Sequence, residues 1–430
     1  MVLEMRKMKD SGIEWIGEIP EGWSIARGKH ILTLLQRAVF PTDGVITCFR
    51  DGEVTLRSNR REDGFTVSLK EIGYQGIEPG DLVVHGMDRF AGSIGISDSR
   101  GKSSPVLVVL DSSQDKKYLM YYLRSMAYNN VFLALSTGIR VRSCDLKWNK
   151  LADLLYLVPP IVEQHKLVSF LDEKCSEIDA MLSKTRASIE EYKKLKQAII
   201  TQAVTKGVRG EREMKDSGVE WIGEIPKEWA VSPMKHFIDI LPGYAFSSDD
   251  FCIEEGIPLL RGINVGVNEI RWDETVRWNH SISKQLESFF LKENDLVVGL
   301  DRPWISDGTR VAFIAKKDLP CLLLQRVCRI RTRCNFDMRW IYYWLSGSSF
   351  KDSLSTETTG ISVPHISTKQ IEQFIVAFPN QLEQTQICNY LDAKCAEIDK
   401  LIAKKEQLVK ELENYKKSLI YEVVTGKREV

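Results

Sequence analysis

At 430 residues the chain is too long for one hydrophobic core and is expected to divide into roughly two to four domains. A content of 43% hydrophobic and 27% charged residues excludes a disordered chain. The charged start at Met1–Asp10 and the lack of any long apolar run point away from a signal peptide and a membrane span, so a cytoplasmic location is expected. With 59 basic against 59 acidic residues, a nucleic-acid binder of this composition has to concentrate positive charge locally or borrow it from a partner.

In chain order, Met8 to Trp23 reads MKDSGIEWIGEIPEGW, and Met214 to Trp229 repeats it at thirteen of sixteen positions, displaced by 206. Each tag opens a globular stretch. The first, from about Ser24 to Val158, alternates short apolar runs (Val45–Phe49, Asp81–Val84, Pro105–Leu110) with turn signals such as Glu78-Pro79-Gly80-Asp81, and turns helical between Lys116 and Leu135. It reads as a mixed α and β domain with more strand than helix. The second, Ala230 to Phe378, follows the same plan: Asn294-Asp295-Leu296-Val297-Val298 echoes Gly80-Asp81-Leu82-Val83-Val84, and Tyr342-Tyr343 echoes Tyr121-Tyr122. Little else between them matches, as expected of two modules that share a scaffold and read different things.

Each globular stretch leads into a run without glycine or proline, Ile161 to Lys206 and Asn380 to Thr425. The second repeats the first at an offset of 220. Apolar residues step by four and three through Leu171, Cys175, Ile178 and Leu182, and again through Leu391, Cys395, Ile398 and Ile402, which makes one narrow seam on a long helix. The nearest matching seam is the other copy, so the two helices are expected to pair side by side and head to tail. Polar residues interrupt the seam at equivalent places, Thr185 and Lys405, then Lys196 and Lys416, where they weaken packing but fix register. Joining the end of the chain to its start would recreate the middle linker Gly207–Glu213, so the termini are expected close together in a pseudo-twofold, circular arrangement.

The chemistry of an enzyme is missing. The nine cysteines lack a Cys-x-x-Cys pair, and Cys321, Cys328 and Cys334 sit in a strand-like apolar context that suits reduced core residues rather than zinc ligands. Pro159-Pro160 lacks the neighbours of an adenine-methyltransferase motif and suits a helix start. Gly95 to Ser103 has the wrong spacing for a nucleotide-binding loop, and no Gly-x-Gly-x-x-Gly follows a strand. None of the six histidines is assigned to catalysis or to a metal.

Several segments expected to form loops instead combine bidentate donors with aromatics. In the first half these are Arg57, Arg60 and Arg61, followed by Arg140 and Arg142 after Gly138. In the second half they are Tyr244 and Phe246, Arg261 and Asn264, and Arg302 beside Pro303-Trp304. Arginine matches two acceptors on guanine and asparagine two positions on adenine, while loop glycines let backbone amides approach phosphate. The bland reading of any one of these residues is a solvated or ion-paired face.

The duplicated tag around SGIEWIGEIP, the Thr359-Gly360-Ile361 loop leading through Ile366-Ser367 and Phe374 to Pro379, and the Leu-Asp-x-Lys-Cys-x-Glu-Ile-Asp helices together resemble the specificity subunits of Type I restriction-modification systems over nearly the whole chain. The resemblance implies an α+β protein of two mixed α/β target recognition domains joined by two long helices in an antiparallel coiled coil. Residues 1–158 and 208–379 would be the recognition domains, and 159–207 and 380–430 the central and distal helical regions. It further implies that each domain reads half of an interrupted sequence in double-stranded DNA. The helices would set the gap and dock two methyltransferase subunits and, through them, restriction subunits; S-adenosylmethionine would sit on the methyltransferases, and this chain would be non-catalytic. The first half departs from the second in lacking a Gly-Tyr-x-Phe loop. The alternatives are a coiled-coil scaffold that organises partners without reading bases and a stand-alone methyltransferase, which would itself bind the cofactor.

Overall fold

The computed structural model describes residues 6–60, 71–88, 92–134, 148–305, 308–333, 336–354 and 365–430. The helices that organise the chain are α1 (Lys116–Tyr128), α2 (Ile161–Lys206), α3 (Met338–Ser346) and α4 (Gln381–Val424). The two runs without glycine or proline thus become α2 and α4. Each starts after a proline whose carbonyl accepts from a glutamine one turn on: Gln164 Nε2 donates to the Pro159 oxygen at 2.8 Å and Gln384 Nε2 to the Pro379 oxygen at 3.0 Å. Each stops where a glycine turns left-handed, Gly207 at φ 77° and Gly426 at φ 73°, a conformation costly for any residue with a Cβ.

The chain folds as two units, Met1–Arg186 with Gln407–Val430, and Ala187–Glu406. The divisions fall inside α2 and α4, not at the ends of the globular stretches. Each unit therefore holds the second half of one long helix, a tag, a globular stretch and the first half of the other long helix.

Within the first unit the tag is a hairpin pairing Met8 with Pro20 and Asp10 with Glu18. A four-stranded antiparallel sheet has the order Leu32–Leu34, Leu107–Ser112, Leu82–His85, Ile94–Ile96, and Ser24–Arg27 pairs separately with Leu155–Val158. Leu82, Val83 and Val84 are all fully buried because both faces of the sheet are covered. Leu82 and Val84 pack with Trp23, α1 and the long-helix residues Leu171 and Leu419, while Val83 packs with Ile46, Val54 and Ile77.

The second unit repeats this plan. Its tag pairs Met214 with Pro226, its sheet runs Ile238–Pro242, Val327–Thr332, Leu296–Gly299, Val311–Phe313, and Ala230–Pro233 pairs with Ile375–Phe378. Leu296 and Val298 face the core with Trp229, α3 and the helix residues Ile200 and Leu391. Val297 faces a different core with Leu260, Val265 and Leu323. The period of two along one strand thus separates a shared core from a divergent one. The divergent sides differ in topology: the second unit carries a sheet of Phe251–Cys252, Arg277–Trp278, Ile257–Leu260 and Leu322–Leu323, where the first pairs Ile46–Cys48 with Val54–Leu56 and Gln75–Ile77 with Gly101–Ser103.

Leu171, Cys175, Ile178 and Leu182 are buried in one core with Leu419, Ile420 and Val423 in the first unit. In the second, Leu391 and Cys395 share a core with Ile200 and Ala203, Ile398 is buried, and Ile402 is half-buried. The segments run antiparallel inside each unit. Asp179 meets Lys416 at 2.6 Å and Arg186 meets Glu413 at 2.5 Å, while Lys196 meets Asp399 at 2.7 Å and Tyr192 carries Lys405 over its ring. The tag near the start of the chain also touches the helix that ends it, with Lys427 Nζ donating to the Ile16 oxygen at 2.6 Å and the Tyr421 hydroxyl to the Trp15 oxygen at 3.1 Å. Cys321 and Cys328 are buried and reduced; Cys334 lies outside the described residues.

Candidate nucleic-acid interface

In the second unit the loops singled out by sequence converge on one end of the four-stranded sheet. Strand Leu296–Gly299 runs on to Leu300, whose N–H donates to the Arg326 oxygen at 2.9 Å and whose carbonyl accepts from Ile366 at 2.9 Å. Gly243 N–H donates to the Val327 oxygen, Gln325 N–H to the Tyr244 oxygen, and Leu324 N–H to the Leu260 oxygen. Backbone pairing therefore gathers Tyr244, Arg261, Asn264 and Arg302 in one region although they are far apart in sequence.

Their side chains divide into supports and presented groups. Phe246 is only 4% exposed and packs 4.9 Å from Tyr244 and 4.9 Å from Trp278. Asn264, 2% exposed, spends both ends of its amide on the loop, with Oδ1 accepting from Arg261 N–H and Nδ2 donating to the Arg271 oxygen. These two residues build the surface and do not face solvent. Arg261 donates to the Glu274 oxygen, and Tyr244 is half-buried against Phe289. Arg302 is exposed at φ 45° and has no side-chain partner among the described residues.

Around Arg302 the charge is locally positive. Arg310 donates to the Val265 oxygen at 2.8 Å and to the Asp301 oxygen at 3.2 Å. Burial first, then the charge of Arg271, pull its proton affinity below the ordinary guanidinium value, with Asp301 opposing and Arg302 adding to the pull. Asp301 Oδ1 takes His365 Nδ1 at 2.6 Å and Arg326 at 3.5 Å. Arg326, Arg310, Asp301 and His365 carry no sequence signal of their own; only the sheet brings them together.

In the first unit Arg57 donates to Thr47 Oγ1 at 3.2 Å. Arg60 lies 4.3 Å over the Phe49 ring and pairs with Asp51 at 2.6 Å and Glu53 at 3.1 Å; the Asp51 hydrogen bond raises its proton affinity. Arg61, Arg140 and Arg142, with the Thr-Gly-Ile loops of both halves, lie outside the described residues. Arg50 and Asp88, 3.4 Å apart beyond the end of strand Leu82–His85, form a pair that the sequence did not announce. Among the described residues no cluster of His, Cys, Asp and Glu could hold a metal, and no helix is long and apolar enough to cross a membrane.

Residues 226–413 match the family model of the Type I restriction modification DNA specificity domain. The Type I restriction enzyme MjaVIII specificity subunit of Methanocaldococcus jannaschii is 28% identical over 330 residues, 76% of this chain and 74% of that one. The Type I restriction enzyme EcoAI specificity subunit of Escherichia coli is 35% identical over 179 residues, 41% of this chain and 30% of that one. A chain solved in a study of complex assembly and conformational transition of the type I R-M system shares the fold, with a TM-score of 0.70 over 95% of this chain and 99% of that one at 15% identity. With its duplicated tags and long helices and its mixed α and β modules, the chain is similar to the specificity subunits of Type I restriction-modification systems, and residues 226–413 carry that family's DNA specificity domain.

Proposed function

We propose that this subunit reads a bipartite target in double-stranded DNA, one half-site by each globular stretch, and docks two methyltransferase subunits and, through them, restriction subunits. The observation that carries the reading is the internal repeat of plan with divergence of surface. Both units join the same hairpin, sheet and helix halves, while the divergent core on the far face of each sheet differs. Two unlike readers on one repeated frame suit split recognition, where half-site separation follows protein dimensions.

In this reading α2 and α4 form an antiparallel coiled coil with a pseudo-twofold relation, supported by the equivalent pairs Asp179–Lys416 and Lys196–Asp399. The subunit works in the cytoplasm and is non-catalytic. S-adenosylmethionine is held by the methyltransferases, which flip the target adenine from the stack. Those partners share the phosphate contacts, which offsets the zero net charge of this chain. Candidate contacts to DNA are Arg302, Arg261 and Tyr244 in one half, and Arg57, Arg60, Arg61, Arg140 and Arg142 in the other, with Phe246 and Asn264 shaping the loops beneath.

Gel shifts of the subunit with its methyltransferase on a series of duplexes test the reading. Tight binding to one interrupted sequence supports it. Equal binding to every duplex would favour a scaffold without base readout.

A further inference from the structure

The geometry points to Arg326, buttressed by Asp301, as a reader of a guanine edge in one half-site, a role that rests on the DNA-reading function proposed above. Arg326 is exposed, sits in a left-handed backbone at φ 69°, and places its guanidinium 3.5 Å from Asp301 Oδ1. Few residues other than glycine adopt that conformation, and such strain gathers where a side chain has to be aimed. Arg302, in the same backbone region at φ 45°, follows Asp301 directly. Two left-handed arginines therefore flank one carboxylate at the end of the central sheet strand.

The carboxylate decides what the arginine can hold. A phosphate brought to Arg326 would meet the negative charge of Asp301, whose oxygen also takes His365 at 2.6 Å. A guanine edge is neutral and offers two acceptors, N7 and O6, to the part of the planar fork that Asp301 leaves free. Anchoring by the carboxylate also lowers the entropy lost when the long side chain is fixed on a base. The first unit carries a related acid–arginine pair, with its arginine supplied by a different turn, the one between Ile46–Cys48 and Val54–Leu56. Asp88 pairs with Arg50 at 3.4 Å just beyond the equivalent strand, and in the sequence Asp88 is followed by Arg89 as Asp301 is by Arg302.

The test maps methylated sites genome-wide in cells carrying the subunit with its methyltransferase, wild type against Arg326→Gly, Arg326→Lys and Arg50→Ala. Glycine suits a left-handed backbone, so Arg326→Gly removes the guanidinium without straining the turn. The expected result is that Arg326→Gly keeps one half-site and the spacer but loses one G·C requirement in the other half, with about ten- to hundredfold weaker binding to the original target. Arg326→Lys, without the two-pronged fork, falls between, and Arg50→Ala relaxes the opposite half-site only. Melting temperatures of the complexes serve as the control for folding. A specific wild-type complex whose motif survives Arg326→Gly, with binding weakened equally on all duplexes and the salt slope reduced by about one, would make Arg326 a phosphate contact and overturn the assignment. A wild-type complex with no motif would instead overturn the underlying reading.

Discussion

Lys196 Nζ lies 2.7 Å from both carboxylate oxygens of Asp399, and Lys416 holds Asp179 at 2.6 and 2.7 Å in the same way. The lysines that interrupt the apolar seam thus find acids at their equivalent positions on the facing segment. Half-exposed pairs of this kind stabilise by only about 0.2–1 kcal/mol, so their larger effect is on orientation. Lys196→Asp should lower the melting temperature by setting two acids face to face. Combining it with Asp399→Lys should restore most of the loss. Thermal unfolding of the two single variants and the double variant measures the coupling.

A second repeated contact seats each globular stretch on its long helix. The Tyr343 hydroxyl donates to Asp392 Oδ1 at 2.5 Å, with Arg339 on the other oxygen, and the Tyr121 hydroxyl donates to Asp172 Oδ1 at 2.8 Å, with Lys117 beside it. Burial first, then the hydrogen bond to the carboxylate, push both phenols well above their ordinary range. Because the folded value is raised, the contribution to stability is present below the unfolded tyrosine value of about 10 and is lost as pH rises beyond it. Tyr343→Phe should destabilise by about 1–2 kcal/mol at neutral pH and reduce the alkaline fall in stability. Denaturant titrations at pH 7 and pH 11 check both signs.

Where each tag meets a long helix, the second unit holds the more buried ion pair. Arg212 pairs with Glu383 at 2.7 Å, with side chains 15% and 6% exposed, and Trp229 Nε1 donates to the same carboxylate at 3.3 Å. Arg212→Ala leaves a buried carboxylate short of its cation and should cost about 3–5 kcal/mol. Arg6→Ala, which frees the more exposed Glu163, should cost less. Urea unfolding of the two variants ranks them.

Thiol reactivity reports on the seam and on the sheet cores. Burial pushes Cys395 up to about 11, and Cys48 and Cys328 up to about 12. Thiolate, the reactive form, is therefore scarce at these sites near neutrality. Among the described cysteines, maleimide at pH 8 should label the half-exposed Cys252 first and leave Cys48, Cys328 and Cys395 untouched until the protein unfolds. Peptide mapping of the labelled chain shows the order.

Much of the frame was legible because it is periodic or repeated. The bounds of α2 and α4 follow from proline before, glycine after and heptads between, all local signals. The candidate site was legible only in part. Phe246 and Asn264 have the residue types of readers, yet burial gives them packing and loop-building roles, and burial depends on strands that pair across long distances in the chain. Arg326 stands alone after Gln325 with no motif around it; its left-handed backbone and its distance to Asp301 exist only after folding. The boundaries of the two units were hidden for a related reason, since each unit draws one helix half from a remote part of the chain.

The most direct test of two readers held at a set spacing is to delete seven residues from the middle of each of α2 and α4 and map methylation with the partner subunit present. Seven residues of helix span about 10 Å, close to three base pairs at about 3.4 Å each. The expected motif keeps both half-sites and has a spacer shortened by about that amount. An unchanged spacer between unchanged half-sites would contradict the idea that the helices set the gap.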